Sequence, residues 1–129
     1  MIQSNAFNYI NVLNKAADAS WTKNQLLSNN LVNVSTPNYK RRDIEFQTYL
    51  AEQLKGSGSL DQKVSNVDLN SLEPTVYTDY SSLSYRLDGN NVDIDTESAN
   101  LAQNQIRFNA IMDSMTSEFN RIRLAITSK

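Results

Sequence analysis

The sequence predicts a mainly α fold: long N- and C-terminal helices forming a coiled-coil layer, with a small β-leaning insert between them. Three observations carry this. Apolar residues recur in steps of three and four at both ends of the 129-residue chain. Only three glycines and two prolines are present, so few of the usual turn residues are available to break long elements. The middle of the chain changes character, with a Gly-Ser run and segments rich in Tyr, Thr and Val.

The first helix is expected over about residues 5–34. Ala6, Ile10, Leu13, Ala17, Ser20, Asn24, Leu27, Leu31 and Val34 form one column, with polar gaps at Ser20 and Asn24. Such a helix spans roughly 40 Å at about 1.5 Å per residue. Pro37 disfavours helical geometry at Thr36, so the helix should stop near residues 33–35. Residues 43–95 form the insert. Ile44 and Phe46 share one side of a short alternating stretch, and QTYLAEQLK (47–55) fits a short helix. Gly56-Ser57-Gly58-Ser59 reads as a flexible linker. Thr75–Tyr80 and Leu83–Leu87 are rich in Tyr, Thr and Val, as strands are, and Asp88-Gly89-Asn90-Asn91 makes a turn before Val92-Asp93-Ile94; together they read as a hairpin. The last helix is expected from about residue 96, with Thr96 as its cap and Asp95 and Glu97 suited to the positive helix end. Its column is Ser98, Leu101, Gln105, Phe108, Met112, Met115, Phe119, Ile122 and Ile126, with Ile106, Ile111 and Leu124 lying off it. The organisation is therefore 1–42, 43–95 and 96–129. A narrow column buries little alone, so the helices must pair with each other, with other copies, or both.

Composition removes most site chemistry. With no histidine and no cysteine there are no disulfides, no thiolate or imidazole zinc ligands and no Ser-His or Cys-His dyads. Placing Gly89 sixth in a calcium loop would put Arg86 at the third ligand position, where a cation is wrong. Asp93, Asp95 and Glu97 read as an acidic turn and helix start rather than as catalytic carboxylates. No cofactor or metal is expected, and an enzyme is disfavoured. The opening MIQSNAFNYI lacks the basic start and apolar core of a cleavable signal, which reads first as cytosolic and leaves export without cleavage open.

The formal charge of −2 is unevenly spread: residues 1–42 carry +4, residues 43–97 carry −8 and residues 98–129 carry +2. Basic ends flank an acidic middle. One reading is solvated faces. Another is packing between neighbouring copies, with Arg41 and Arg42 meeting the acidic insert of the next subunit. Sparse basic charge argues against nucleic acid. Trp21 reads as a packing anchor.

The most specific stretch is LSNNLVNVSTPNYK, residues 27–40. Asn30, Asn33, Thr36, Pro37, Tyr39 and Lys40 match the N-terminal motif of the bacterial flagellar rod, hook and hook-associated family, which this chain resembles. Val32 stands where that family usually has alanine, and Asn38 where it usually has glycine. Asn38 is the mildest such replacement if the turn needs positive φ. The run LDGNNVDIDTESANLAQN (87–104), the stretch QIRFNA (105–110) and the ending Arg123–Ile126 are similar to the short proximal-rod members. FlgC, another short rod protein, shares the motif and a similar Asn-Val-Asp-Leu-Asp run; the stretch 104–108 and the ending favour a different short member. The resemblance implies a structural protein, a subunit of the proximal rod of the flagellar basal body. It would be exported unfolded through the type III apparatus without signal cleavage, and would polymerise in the periplasm as a drive-shaft tube. Its implied partners are copies of itself, FlgC and the distal rod subunits, and at the base the adaptor FliE and the export gate. The expected assembly interface is Ile10, Leu13, Leu27, Leu31, Val34, Leu101, Phe108, Met112, Met115, Phe119, Ile122 and Ile126. The terminal segments are expected to be poorly ordered in a free chain and to become helical on assembly. The competing class is a stand-alone cytoplasmic coiled-coil adaptor or chaperone. A secreted WXG-type hairpin is a further candidate, although Trp21-Thr22-Lys23 lacks its glycine.

Overall fold

A computed structural model describes residues 4–83 and 85–127. Helix α1 runs Ser4–Val32, strand β1 Arg42–Glu45, helix α2 Gln47–Gln53, helix α3 Leu60–Ser65, strand β2 Thr75–Thr78 and helix α4 Ile94–Thr127, with a 3-10 turn at Leu69–Leu72 before β2. The two long helices and the small insert between them are the architecture the sequence predicts.

Helices α1 and α4 pack as an antiparallel pair. Asn30 meets Glu97 at one end, and Ser20 meets Asn104 and Trp21 meets Phe108 further along. The α1 column is covered throughout: Ala6, Ala17, Ser20 and Leu27 are buried, and Ile10, Leu13, Asn24, Leu31 and Val34 are half-buried. The α4 column differs from expectation. The covered column is Glu97, Leu101, Asn104, Phe108, Ile111, Met115, Glu118 and Ile122, with Asn100 and Arg107 half-buried beside it. Leu101, Phe108, Met115 and Ile122 belong to both columns, whereas Ser98, Gln105, Met112, Phe119 and Ile126 are exposed. A 3.6-residue helix offers two adjacent columns that share every second member, and α1 takes the one containing Glu97 and Asn104.

A second face of α1 is covered by the insert. Ala19, Phe46 and Leu72 form the buried cluster, with Val12, Ala16, Ile44, Tyr49, Leu50 and Leu69 packed around it. Helix α2 falls within the expected 47–55 stretch. Helix α3 has no counterpart in the sequence reading. Its Ser59–Gln62 capping box satisfies two N-terminal donors, and Val64 is buried beneath it.

The hairpin is not formed. Strand β2 pairs antiparallel with β1, placing Ile44 opposite Val76, and Leu83 and Tyr85–Leu87 form no strand; Ser84 lies outside the described residues. Physically, the 79–92 segment is held by side chain-to-backbone bonds rather than by a ladder. Helix α4 also starts earlier than expected. Asp93 Oδ1 accepts from the Asp95 and Thr96 amides at 3.1 and 3.4 Å, so Asp93, not Thr96, caps it.

Candidate functional site

The family-motif residues converge where α1 ends, β1 begins and α4 starts. Asn33 closes the last turn of α1, donating to the Asn29 carbonyl at 2.8 Å and accepting from the Thr36 hydroxyl at 3.1 Å. Pro37 is exposed, and Asn38 follows at φ 61°, in the left-handed region that favours glycine or asparagine. Its amide donates to the Asp88 carbonyl at 2.8 Å. Gly89 faces it at φ 78°, and a Cβ there would stand 2.5 Å from Asn38 Oδ1. Lys40 Nζ donates to the Gly89 carbonyl. The two turns are thus locked together.

Asn30 is the hub. Its Nδ2 donates to the Arg42 carbonyl at 2.9 Å and to Glu97 Oε2 at 3.2 Å. Its Oδ1 accepts from the Tyr39 hydroxyl and the Arg42 amide, both at 3.0 Å. A fully buried amide with every atom satisfied stabilises; one lost partner would leave a costly orphan.

Residues outside the Asn30–Lys40 motif complete this network. Arg41 binds Glu97 through Nε, Asp43 at 3.0 Å and Asp79 at 3.2 Å. Burial opposes its charge, but the bonds from Glu97 and Asp43 outweigh that and hold the guanidinium above its ordinary value. Hydrogen bonds from Ser81, and from Arg41, hold the Asp79 carboxyl below its usual range. Asn90 Nδ2 reaches the Asn33, Val34 and Thr36 carbonyls at 2.9, 3.1 and 2.8 Å, capping α1 from a distant segment. Asn91 accepts from the Arg41 amide at 2.7 Å and donates to the Asp79 and Ser81 carbonyls at 2.6 and 2.9 Å. In sequence, Asn90 and Asn91 read as a turn and Glu97 as part of an acidic helix start, all within the family-like run 87–104, with no sign of these long-range bonds. Arg41 does not await a neighbouring subunit, because its charge is met inside its own chain. Lys15 with Glu73, and Lys23 with Asp43 at 3.3 Å, repeat the pattern.

The expected interface residues divide in two. Leu27 is buried, and Ile10, Leu13, Leu31, Val34, Leu101, Phe108, Met115 and Ile122 are half-buried. Met112, Phe119 and Ile126 are 43%, 53% and 64% exposed. Of these three, Met112 lines a cleft of about 250 Å³ between the helices, together with Asn14, Ala17, Asp18, Trp21, Phe108 and Met115. Beyond Met115 only Glu118 and Ile122 of α4 are even half-covered. This arrangement offers a polar junction at the start of α4 and an exposed apolar stripe along its outer half.

The flagellar basal body rod protein FlgB of Bacillus subtilis is 32% identical over 117 residues, covering 89% of this chain and 90% of that protein. This chain belongs to the FlgB family of flagellar basal body rod proteins. FlgB of Borrelia hermsii is 26% identical over 133 residues, covering 91% of the chain and 94% of its own length. FlgB of Cereibacter sphaeroides is 31% identical over 109 residues, covering 81% and 83%. No family model matches the chain. The FlgB likeness spans the motif junction and both long helices.

Proposed function

We propose that this chain is a structural subunit of the proximal rod, polymerising through its terminal helices into the drive-shaft tube. The observation that carries this is the α4 stripe of Met112, Phe119 and Ile126, which the sequence period marks as apolar and the chain's own packing leaves bare. Exposed apolar stripes of this kind mark protein contacts. On this reading, segments 1–42 and 96–129 form the assembly layer and 43–95 braces it from one side. The Asn30–Glu97 junction sets how the two helices meet, so every copy presents the same stripe. Export runs through the flagellar type III apparatus, and assembly takes place in the periplasm. Copies of the chain, FlgC and the distal rod subunits, the adaptor FliE and the export gate are its partners there.

The bare outer part of α4 fits folding completed on assembly, since a helix without a packed face is marginal in water. Circular dichroism with sedimentation on the purified chain tests this. A monomer whose helix content rises on assembly is expected. A compact, fully helical dimer or tetramer in dilute buffer would contradict it and favour the adaptor class.

A further inference from the structure

The cleft beside Met112 combines an apolar lining with a single charge. Ala17, Phe108, Met112 and Met115 supply the apolar part. Trp21 borders it at 55% exposure and lies against Phe108, with ring centroids 6.1 Å apart. Among the described residues, Asp18 is the one ionisable group in the lining. It is also the only acid of residues 1–42, which otherwise carry five cations. The cations nearest to it in sequence do not neutralise it, because Lys15 is paired with Glu73 and Lys23 with Asp43. An exposed indole face beside a lone carboxylate suits a guanidinium on an aliphatic stem. The ring attracts the cation, the carboxylate pairs with it, and the apolar lining takes the stem.

Among the described residues one arginine matches. Arg41, Arg86 and Arg121 are held by carboxylates of their own chain, and Arg107 by the Gln47 amide. Arg42 stands on β1 opposite Thr78, beside the polar junction. Arg123 is exposed, makes no salt bridge among the described residues, and lies on the bare outer half of α4. Phe119, four positions before it, and Ile126, three after it, are its neighbours on the helix surface. It is therefore a cation set within the exposed apolar stripe. It cannot fill the cleft of its own molecule. Phe108 and Met112 precede it by at least eleven residues of one helix, roughly 16 Å. Cleft and cation lie on different parts of one molecule, and contacts of that heterologous kind propagate into open helical assemblies.

We propose that the Trp21 cleft receives Arg123 of a second copy, its guanidinium on the indole face and paired with Asp18, and Phe119 and Ile126 packed at the rim. The proposal rests on the rod-subunit reading and names what the α4 stripe meets in the next subunit. Charge exchange tests it. Asp18→Arg and Arg123→Asp are made singly and together in a strain lacking the parent chain. Each single variant sets like charges together and should lower the amount of chain in isolated basal bodies about tenfold. The exchanged pair should recover most of it. Both positions are exposed, so urea midpoints of the purified variants should stay level. Because the chain has no cysteine, introduced thiols report without background. Asn14→Cys at the cleft and Thr127→Cys beside Arg123, both exposed, leave the proposed pair in place. Treated with a short bis-maleimide, basal bodies of the double-thiol variant should give a ladder of dimers and higher species, and each single-thiol variant only monomer. The contact is overturned if either charge-reversed single variant incorporates normally, or if the exchanged pair does no better than the singles. It is overturned equally if the double-thiol variant incorporates fully but stays monomeric or stops at dimers. Absence of the unmodified chain from basal bodies would instead sink the rod reading, and this contact with it.

Discussion

Asn30 holds four groups at once, from the β1 backbone to the first turn of α4. Asn30→Leu keeps the volume but strands Glu97 Oε2 and the Tyr39 hydroxyl, and should cost about 3 kcal/mol in urea unfolding. Gly89→Ala should cost about 1–2 kcal/mol, because its φ is left-handed and its Cβ would meet Asn38 Oδ1. Asn38→Gly should fall within about 0.5 kcal/mol of the parent. Acid should act through Asp79 and Asp88, the latter lowered by its bond from Arg86. Their folded values lie below the unfolded ones, so the unfolded chain takes up protons first as pH falls. Their contribution is complete above about pH 4 and is lost below it. Urea midpoints should therefore be level from pH 7 to 5 and drop on approach to pH 3. Among these residues, the motif Asn, Thr, Pro and Tyr were legible because turn chemistry is local. The contacts of Asn90, Asn91, Arg41 and Glu97 were not, because most of their partners lie in distant parts of the chain, up to 67 positions away.

At the scale of elements, long periodic helices were legible and pairing partners were not. The α1 column is legible because seven of its nine members are Ala, Ile, Leu or Val. On α4 the covered column includes Glu97 and Asn104, which no hydropathy pattern would choose. Strand β2 looked like half of a local hairpin, yet its partner β1 lies upstream across α2 and α3. The segment after it lacks a tight Gly or Asn turn until Gly89. Asn104→Leu should raise the stability of the isolated chain by about 1 kcal/mol, since it replaces an orphan acceptor with packing. Amides of residues 116–127 should exchange faster than those of 97–111, because little covers the outer part of α4.

For the whole molecule, the charge asymmetry resolves largely within the chain, as basic side chains of the N-terminal segment meet carboxylates of the insert. The exposed apolar stripe of α4, Met112, Phe119 and Ile126, lies outside that network. The account's central claim is that this stripe, and not the internal seam, joins subunits in the rod. The direct test is Phe119→Asp with Ile126→Asp, both at exposed positions, in a strain lacking the parent chain. Basal bodies are isolated and the variant is quantified in them, alongside circular dichroism of the purified protein. The account predicts an unchanged fold with loss of incorporation and of swimming. Full incorporation and normal motility in that double variant would contradict it.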